Sequence, residues 1–335
     1  MILRHDIRVF AILSLMIAAG PARASDTRYV TLSTIKARAV AMGGAFVTMT
    51  DDLAALDFNP AGFSVLTSQE GLGFSAYLNP MGPLLLAENM DRVSGWDTAL
   101  GWLVKGAAFR VGRLQLGVLF GEESLGDVER LARSRFLGGN AYIDHRSTSF
   151  GFSLALAERV SLGMAGELYQ RRVDSRTTFS LRYRYGLILK PRANLSVGIC
   201  FVDLPQEYQE DRMALERLPD ETLNVGISYA PVRFFTLALD VRNVSDEGKG
   251  AALEPHAGFE FVPWRHAALR GGYFRDWDGR IDSYSVGLGI FDWNMLFPEH
   301  KRFLHPSPAL NVSMVWQTGS GTTFRWFFLS MLVRV

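Results

Sequence analysis

The sequence has almost no cysteine, since Cys200 is the single one in 335 residues. An internal disulfide is therefore excluded, and the stability of the fold must come from another source. The sequence also lacks a charge excess, because 35 lysines and arginines stand against 34 aspartates and glutamates. This balance gives no basic surface of the kind that indicates nucleic-acid binding. After residue 25 the chain has no uninterrupted apolar run of the roughly 20 residues that a transmembrane helix requires.

The first residues indicate export. A basic start precedes an apolar run from Val9 to Ala19, and the small-x-small pattern Ala22-Arg23-Ala24 follows it. This order is typical of a secretory signal peptide, and the run is too short to span a bilayer as a helix. We expect residues 1–24 to be a cleaved signal peptide. With 32 glycines and 12% aromatic residues, the exported part is either a soluble periplasmic β protein or an outer-membrane barrel.

A period of two along the strands favours the barrel. In the stretch FTLALDVR, residues 235–242, large apolar side chains alternate with Thr236, Ala238, Asp240 and Arg242. The stretches LNVGISY, YSVGLGI, LNVSMVW and FGFSLAL repeat this pattern. Side chains alternate across a strand, so each segment has one apolar face and one small or polar face. The second face carries glycine, serine and alanine with scattered charges, which is unlike the lysine, glutamate and threonine of a water-facing sheet.

The lengths of the strands and turns predict a transmembrane, antiparallel, up-and-down β-barrel over residues 69–335. Strands of about ten residues or more suit a tilted crossing of the bilayer, and lipid forbids open sheet edges. Tight turns alternate with long polar loops, as in outer-membrane barrels. About 14 strands are predicted, with a count of 12 to 16 left open. Their cores are 72–79, 104–111, 113–121, 145–157, 159–172, 177–190, 193–202, 220–230, 233–243, 255–262, 265–275, 281–291, 308–317 and 321–335.

Residues 25–68 do not alternate and predict a short helical plug inside the lumen. Asp51 or Asp52 is a good N-cap for the turn that follows. Asn59 and Pro60 indicate a second helix start, because asparagine caps and proline fits the first turn. Helices this short do not stand alone in water, and loops cannot face lipid. The residues that define the plug motif are Met42, Gly43, Gly44, Asp51, Asp52, Asn59, Pro60 and Gly62.

This motif resembles a known family. The run from Ala37 to Ala45 with Met42-Gly43-Gly44, then Asp51-Asp52 and the stretch from Asn59 to Gly62, resembles the N-terminal signature of PorV-type outer-membrane proteins. Those proteins are related to the FadL-type long-chain fatty-acid transporters. The resemblance implies a 14-stranded barrel with its N-terminal segment folded into the lumen. The chain departs from that family in its non-aromatic last residue, Val335, and in being shorter than typical FadL transporters.

Charges of both signs occupy the face opposite the apolar one. They are Glu167, Arg182, Arg184, Asp240, Arg242, Glu260 and Arg270. One interpretation is a salt-bridge network that braces the wall and holds the plug. The other is a constriction that selects solutes by charge. Mixed signs argue against a strong cation or anion filter.

The sequence favours no enzymatic function, because it has few histidines and no G-x-S-x-G nucleophile motif. No metal site and no cofactor are predicted. Two functions remain open: passage of a small or hydrophobic solute across the bacterial outer membrane, or a non-transporting barrel that docks secretion or surface proteins. The expected partners are outer-membrane lipid and either a hydrophobic small molecule or such a protein. Residues 79–90 suit an apolar outer loop or lid in either case.

Overall fold

The computed structural model describes residues 27–30, 36–50, 52–63, 72–79, 103–123, 145–173, 176–203, 221–242, 244, 253–264, 267–276, 281–291, 309–319 and 322–334. The predicted signal peptide, Asp51 and nearly all of the segment 79–90 lie outside these residues. No helix within the described ranges is long and apolar enough to cross a membrane.

Fourteen strands pair with their neighbours in sequence order and close into an antiparallel barrel, because the last of them also pairs with the first. This confirms the predicted fold class. Numbering starts at β1, a short strand at Thr27–Val30 that precedes the barrel. The barrel strands are β2 (Leu72–Leu78), β3 (Val104–Val111), β4 (Leu114–Glu123), β5 (His145–Ala157), β6 (Val160–Val173), β7 (Arg176–Arg192), β8 (Leu195–Asp203), β9 (Glu221–Val232), β10 (Phe235–Arg242), β11 (Glu254–Trp264), β12 (Ala267–Asp276), β13 (Ile281–Phe291), β14 (Ala309–Gly319) and β15 (Thr322–Arg334).

The seam of the barrel holds one element that alternation does not predict. Strand β2 pairs with only the end of β15, from Met331 to Arg334. Strand β1 runs parallel to β15 and pairs with its residues 324–327. A short β2 leaves part of the β15 edge without a neighbour, and an unpaired edge in lipid is costly. Pairing with β1 covers that edge, so residues 27–30 join the wall although they fall inside the predicted plug segment.

The two faces of the wall follow the alternation. On β10, Leu237 and Leu239 are 43% and 57% exposed on the outer face, whereas Ala238 and Asp240 are 1% and 2% exposed on the inner face. Other large apolar side chains on the outer face include Phe109, Leu116, Phe150, Ile199, Ile227, Phe259 and Leu269. An outer surface of this kind is matched to lipid rather than to water.

The lumen is filled by the segment 36–63. It contains helix α1 (Ala37–Ala41), helix α2 (Ala55–Phe58) and a 3₁₀ turn (Pro60–Phe63). The largest fully buried side chains of the segment are Met42, Phe46, Leu56 and Phe63, and they form one core with inward residues of the wall such as Tyr77, Leu119 and Ala165. We call residues 36–63 the plug.

Candidate functional site

Glycines of the wall form the surface on which the plug lies. A Cβ built on Gly186 would overlap the Asn59 side chain, and one on Gly163 would overlap the backbone of Pro60. On the opposite side of the barrel, a Cβ on Gly258 or Gly272 would overlap the backbone at Met42 and Gly43. The glycine-rich inner face is therefore a packing requirement, because the plug backbone touches the strand backbone directly. Gly198 likewise lies against the Val47 backbone, whereas plug side chains lie over Gly117, Gly151, Gly226 and Gly287.

The turn at Met42-Gly43-Gly44 is held by side chains of two strands, β11 and β13. Gly43 and Gly44 have φ values of 63° and 72°, a left-handed conformation that glycine adopts without steric cost. The Gly43 N–H donates to Ser285 Oγ at 3.0 Å, and Ser285 Oγ donates to the Ala41 carbonyl at 3.0 Å. His256 Nδ1 lies 2.6 Å from the Gly43 carbonyl oxygen.

Strand β10 binds the segment that follows this turn. The Asp240 carboxylate accepts the backbone N–H groups of Phe46 at 2.6 Å and Val47 at 2.8 Å. Arg242 donates to the Gly44 carbonyl at 2.6 Å, and its guanidinium lies 5.0 Å from the centre of the Phe58 ring. Both charged side chains therefore bind backbone groups of the plug. These hydrogen bonds replace the ones that the charged groups would otherwise make with water.

Asn59 joins the plug to two strands while it caps the 3₁₀ turn. Its Oδ1 accepts the Ala61 N–H at 3.1 Å, which is the predicted cap. Its Nδ2 donates to the Val47 carbonyl at 2.8 Å and lies 3.3 Å from the carbonyls of Leu187 on β7 and Ile199 on β8. The side chain is fully buried. Asn59 is thus satisfied on both its oxygen and its nitrogen, and the absence of a side chain at Gly186 leaves room for it.

Replacing Asn59 with alanine is expected to lower the free energy of unfolding by about 1 to 3 kcal/mol, since a cap is lost and the buried Ala61 N–H is left without its acceptor. Denaturant unfolding of the folded barrel in detergent measures this. Asn194→Ala, in an exposed tight turn, is the control and should change stability by less than about 0.5 kcal/mol. Rapid proteolysis of residues 36–63 in the folded wild type would contradict a docked plug.

Asp57 of the plug enters a cluster of charges on β6 and β7. Glu167 on β6 lies 3.0 Å from Arg182 Nε and accepts from Arg184 Nη2 at 2.8 Å. Arg184 Nη1 is 3.7 Å from Asp57 Oδ1, and Lys36 Nζ is 3.7 Å from Asp57 Oδ2. These five residues are the first charge cluster. Each carboxylate lies near two cations. Asp57 thereby joins α2 to the wall through Arg184, and Lys36, the residue before α1, joins the start of α1 to Asp57.

Arg38 of α1 carries a second link to the other side of the barrel. Its guanidinium binds Glu260 on β11 through two contacts of 2.9 Å and lies 3.3 Å from Asp52 Oδ2. Glu260 also accepts from Arg270 Nε at 2.6 Å. The two-contact geometry is the strong, directional form of an arginine–carboxylate pair. Asp52 itself accepts the Ala54 N–H at 2.9 Å and the Tyr77 hydroxyl.

All seven lumen charges singled out from the sequence point inward. Six of them either contact the plug directly or form an ion pair with a residue that contacts the plug: Arg184, Glu167, Asp240, Arg242, Glu260 and Arg270. Arg182 completes the set through Glu167. Sequence reasoning missed Arg38 and Asp57, the plug residues that pair with Glu260 and Arg184, and Lys36, which pairs with Asp57. The sequence feature that could have indicated these residues is their charge within an otherwise apolar segment. That segment lies close to the wall only after the barrel has closed. Whether these residues act in function stays a prediction.

Comparison with known proteins bears on the fold. No family model matches the chain, and no curated protein matches it. Among solved structures, the chain is similar to the toluene transporter TbuX of Ralstonia pickettii, with a TM-score of 0.51 and 13% identity over 91% of this chain and 98% of that one. It is also similar to the toluene transporter TodX of Pseudomonas putida, with a TM-score of 0.51 and 10% identity over 92% and 99%. These matches show a shared barrel fold over 91% and 92% of this chain, and they give the PorV-type resemblance no support.

Proposed function

We propose that this chain is a FadL-like barrel of the bacterial outer membrane that allows small hydrophobic solutes to cross. The observation that carries the proposal is the combination of a 14-stranded barrel with a lumen filled by its own N-terminal segment. The two solved structures that share this fold over their whole length are transporters of toluene. Because one fold can host different functions, the proposal also needs support from the site itself.

The chemistry of the lumen favours an uncharged solute. The carboxylates of Asp52, Asp57, Glu167 and Glu260 each lie within 3.7 Å of a cation. In the part of the lumen that the structure describes, paired charges of both signs do not form a ring of one sign that would attract and select ions. Beside these pairs the plug presents phenylalanine and methionine side chains, with Phe46 and Phe58 in ring contact at 5.3 Å between centroids. A hydrophobic molecule has favourable contacts there when the plug or wall moves, whereas an ion gains little.

The docking alternative has less support. The fold comparisons lead to solute transporters, and within the described residues most exposed large apolar side chains belong to the lipid-facing band of the strands, with Val244 and Leu253 just beyond it. Neither observation favours a secretion or surface protein as partner. The shared fold likewise gives no support to an enzymatic role.

Uptake by intact cells tests the proposal. A bacterial strain without hydrocarbon and fatty-acid transporters would express the chain, and the uptake of radiolabelled toluene would be compared with that of vector-only cells. We expect faster toluene uptake with no change in the hydrolysis of a hydrophilic chromogenic β-lactam by a periplasmic enzyme. Faster β-lactam hydrolysis would indicate an open, water-filled pore. No change in either rate would contradict solute passage and would make the docking barrel the better explanation.

A further inference from the structure

The tight turns at one end of the barrel carry arginines. Arg113 lies between β3 and β4, Arg159 between β5 and β6, Arg192 at the end of β7, and Arg233 between β9 and β10. All four are exposed. Among the described residues of these turns, Glu158 is the one carboxylate. The end of the barrel that has the tight turns is therefore strongly positive over four successive hairpins.

These hairpin turns form one continuous arc. The Ala155 N–H donates to the Arg113 carbonyl at 3.0 Å, and the Lys190 N–H donates to the Arg159 carbonyl at 2.8 Å. In the same way, Ala230 donates to Asn194 at 2.8 Å, and Val262 donates to Phe234 at 2.7 Å. Each hydrogen bond joins one hairpin to the next, so the arginines follow the rim in order. Successive hairpins are separated by two strand spacings, at least about 10 Å.

The arc borders the lipid-facing band. Val111, Leu156, Val232 and Phe234 are 50%, 47%, 43% and 51% exposed on the outer surface, and each lies within three residues of one of these arginines. Arginine beside an apolar surface extends its charged end toward the water at the membrane boundary. The guanidinium groups thus lie at the edge of the apolar band, where the head groups of a surrounding bilayer are expected.

We propose that this arc binds the phosphate groups of anionic glycerophospholipids in the leaflet around the tight-turn end of the barrel. Guanidinium groups bind phosphate through paired hydrogen bonds, and each basic residue near an anionic membrane surface strengthens binding by about fivefold. The spacing of the hairpins assigns each arginine to a different lipid molecule, since one phosphate cannot span two turns. The apolar neighbours hold the acyl chains of the same lipids. This proposal depends on the membrane-spanning barrel and is independent of solute passage.

Native mass spectrometry of the folded full chain in detergent tests it, with added dioleoyl-phosphatidylglycerol or the zwitterionic dioleoyl-phosphatidylcholine as probes. The rim variant combines Arg113→Gln, Arg159→Gln, Arg192→Gln and Arg233→Gln. The control variant removes the same charge at the opposite ends of β5, β6 and β7, through Arg146→Gln, Arg171→Gln, Arg172→Gln and Arg176→Gln. All four positions lie where β5, β6 and β7 pair at the end of the barrel away from the tight turns.

We expect the wild type and the control variant to retain phosphatidylglycerol over phosphatidylcholine, and the rim variant to lose about fivefold in the affinity for each bound phosphatidylglycerol. Retained preference in the rim variant would overturn the proposal, and so would an equal loss in both variants. Displacement of bound lipid by millimolar inorganic phosphate would assign the arc to free anions instead. If the rim variant does not fold, Arg159→Gln and Arg233→Gln alone should each lower the number of phosphatidylglycerol molecules retained by about one, because each removes the contact to a single lipid, and an unchanged number in both would contradict the proposal.

Discussion

Replacement of Glu167 by glutamine is expected to lower the free energy of unfolding by about 3 to 5 kcal/mol, because it removes one partner from a buried group of ion pairs. Glu167 is buried and lies 2.8 Å from Arg184 and 3.0 Å from Arg182. Both guanidinium groups would remain in the lumen with a neutral amide between them. Denaturant titration of the folded barrel in detergent, followed by tryptophan fluorescence, measures the change.

Glu158→Gln is the matched control for this experiment. Glu158 is exposed in the turn between β5 and β6, so the same substitution there should change stability by less than about 0.5 kcal/mol. The double variant Glu167→Gln/Arg182→Gln should regain part of the loss, since it restores the charge balance of the first charge cluster. Equal effects of Glu167→Gln and Glu158→Gln would show that the cluster does not stabilise the plugged barrel.

Arginine in place of Leu239 is expected to destabilise the barrel by about 2 to 4 kcal/mol, the range for arginine on a lipid-facing site near the bilayer midplane. Leu239 is the most exposed large apolar residue of β10, and it faces away from the lumen between the inward residues Ala238 and Asp240. A guanidinium at this position would lie in hydrocarbon without a partner. Refolding into vesicles of defined lipid composition, with equilibrium unfolding by denaturant, gives the free-energy difference.

A lipid-facing position nearer the membrane interface provides the control for this second prediction. Val232 also faces outward, but it ends β9 next to Arg233 at the tight-turn rim. Val232→Arg should therefore cost about 0 to 1 kcal/mol, as expected near the interface. Cysteine labelling in a Cys200→Ser background checks the faces independently. Labelling of position 240 but not of position 239 by a lipid-soluble reagent would show that the assigned orientation of β10 is wrong.

The strands could be located from the sequence because their signal is local. The predicted core 145–157 coincides with β5, and 281–291 coincides with β13. Alternation assigns each side chain to a face from its immediate neighbours, and a membrane barrel keeps that alternation along its strands. Strand β1 was missed because its pairing leaves no such local signal. Its four residues pair with β15 nearly 300 positions further along the chain, and no local pattern marks such a partner.

The glycines of the inner face show where local reasoning stops. The sequence predicts that small residues line the lumen, and it predicts a plug from a segment that does not alternate. It does not predict that Gly186 makes room for Asn59, or that Gly258 and Gly272 lie against Met42 and Gly43. These contacts depend on the position of the plug within a closed barrel, which is set by the register of all strands together.

The sequence alone determined the β-barrel class, the approximate strand count and the inward direction of the wall charges, since each follows from composition or from a period of two. The cleaved signal peptide over residues 1–24 stays a prediction. Only the tertiary structure decided how those charges are paired. Arg38 forms an ion pair with Glu260, 222 residues away, and Asp57 of the plug forms one with Arg184 of the wall. Ion pairs form between groups that folding brings within a few ångströms, and that proximity exists only after the strands close around the plug.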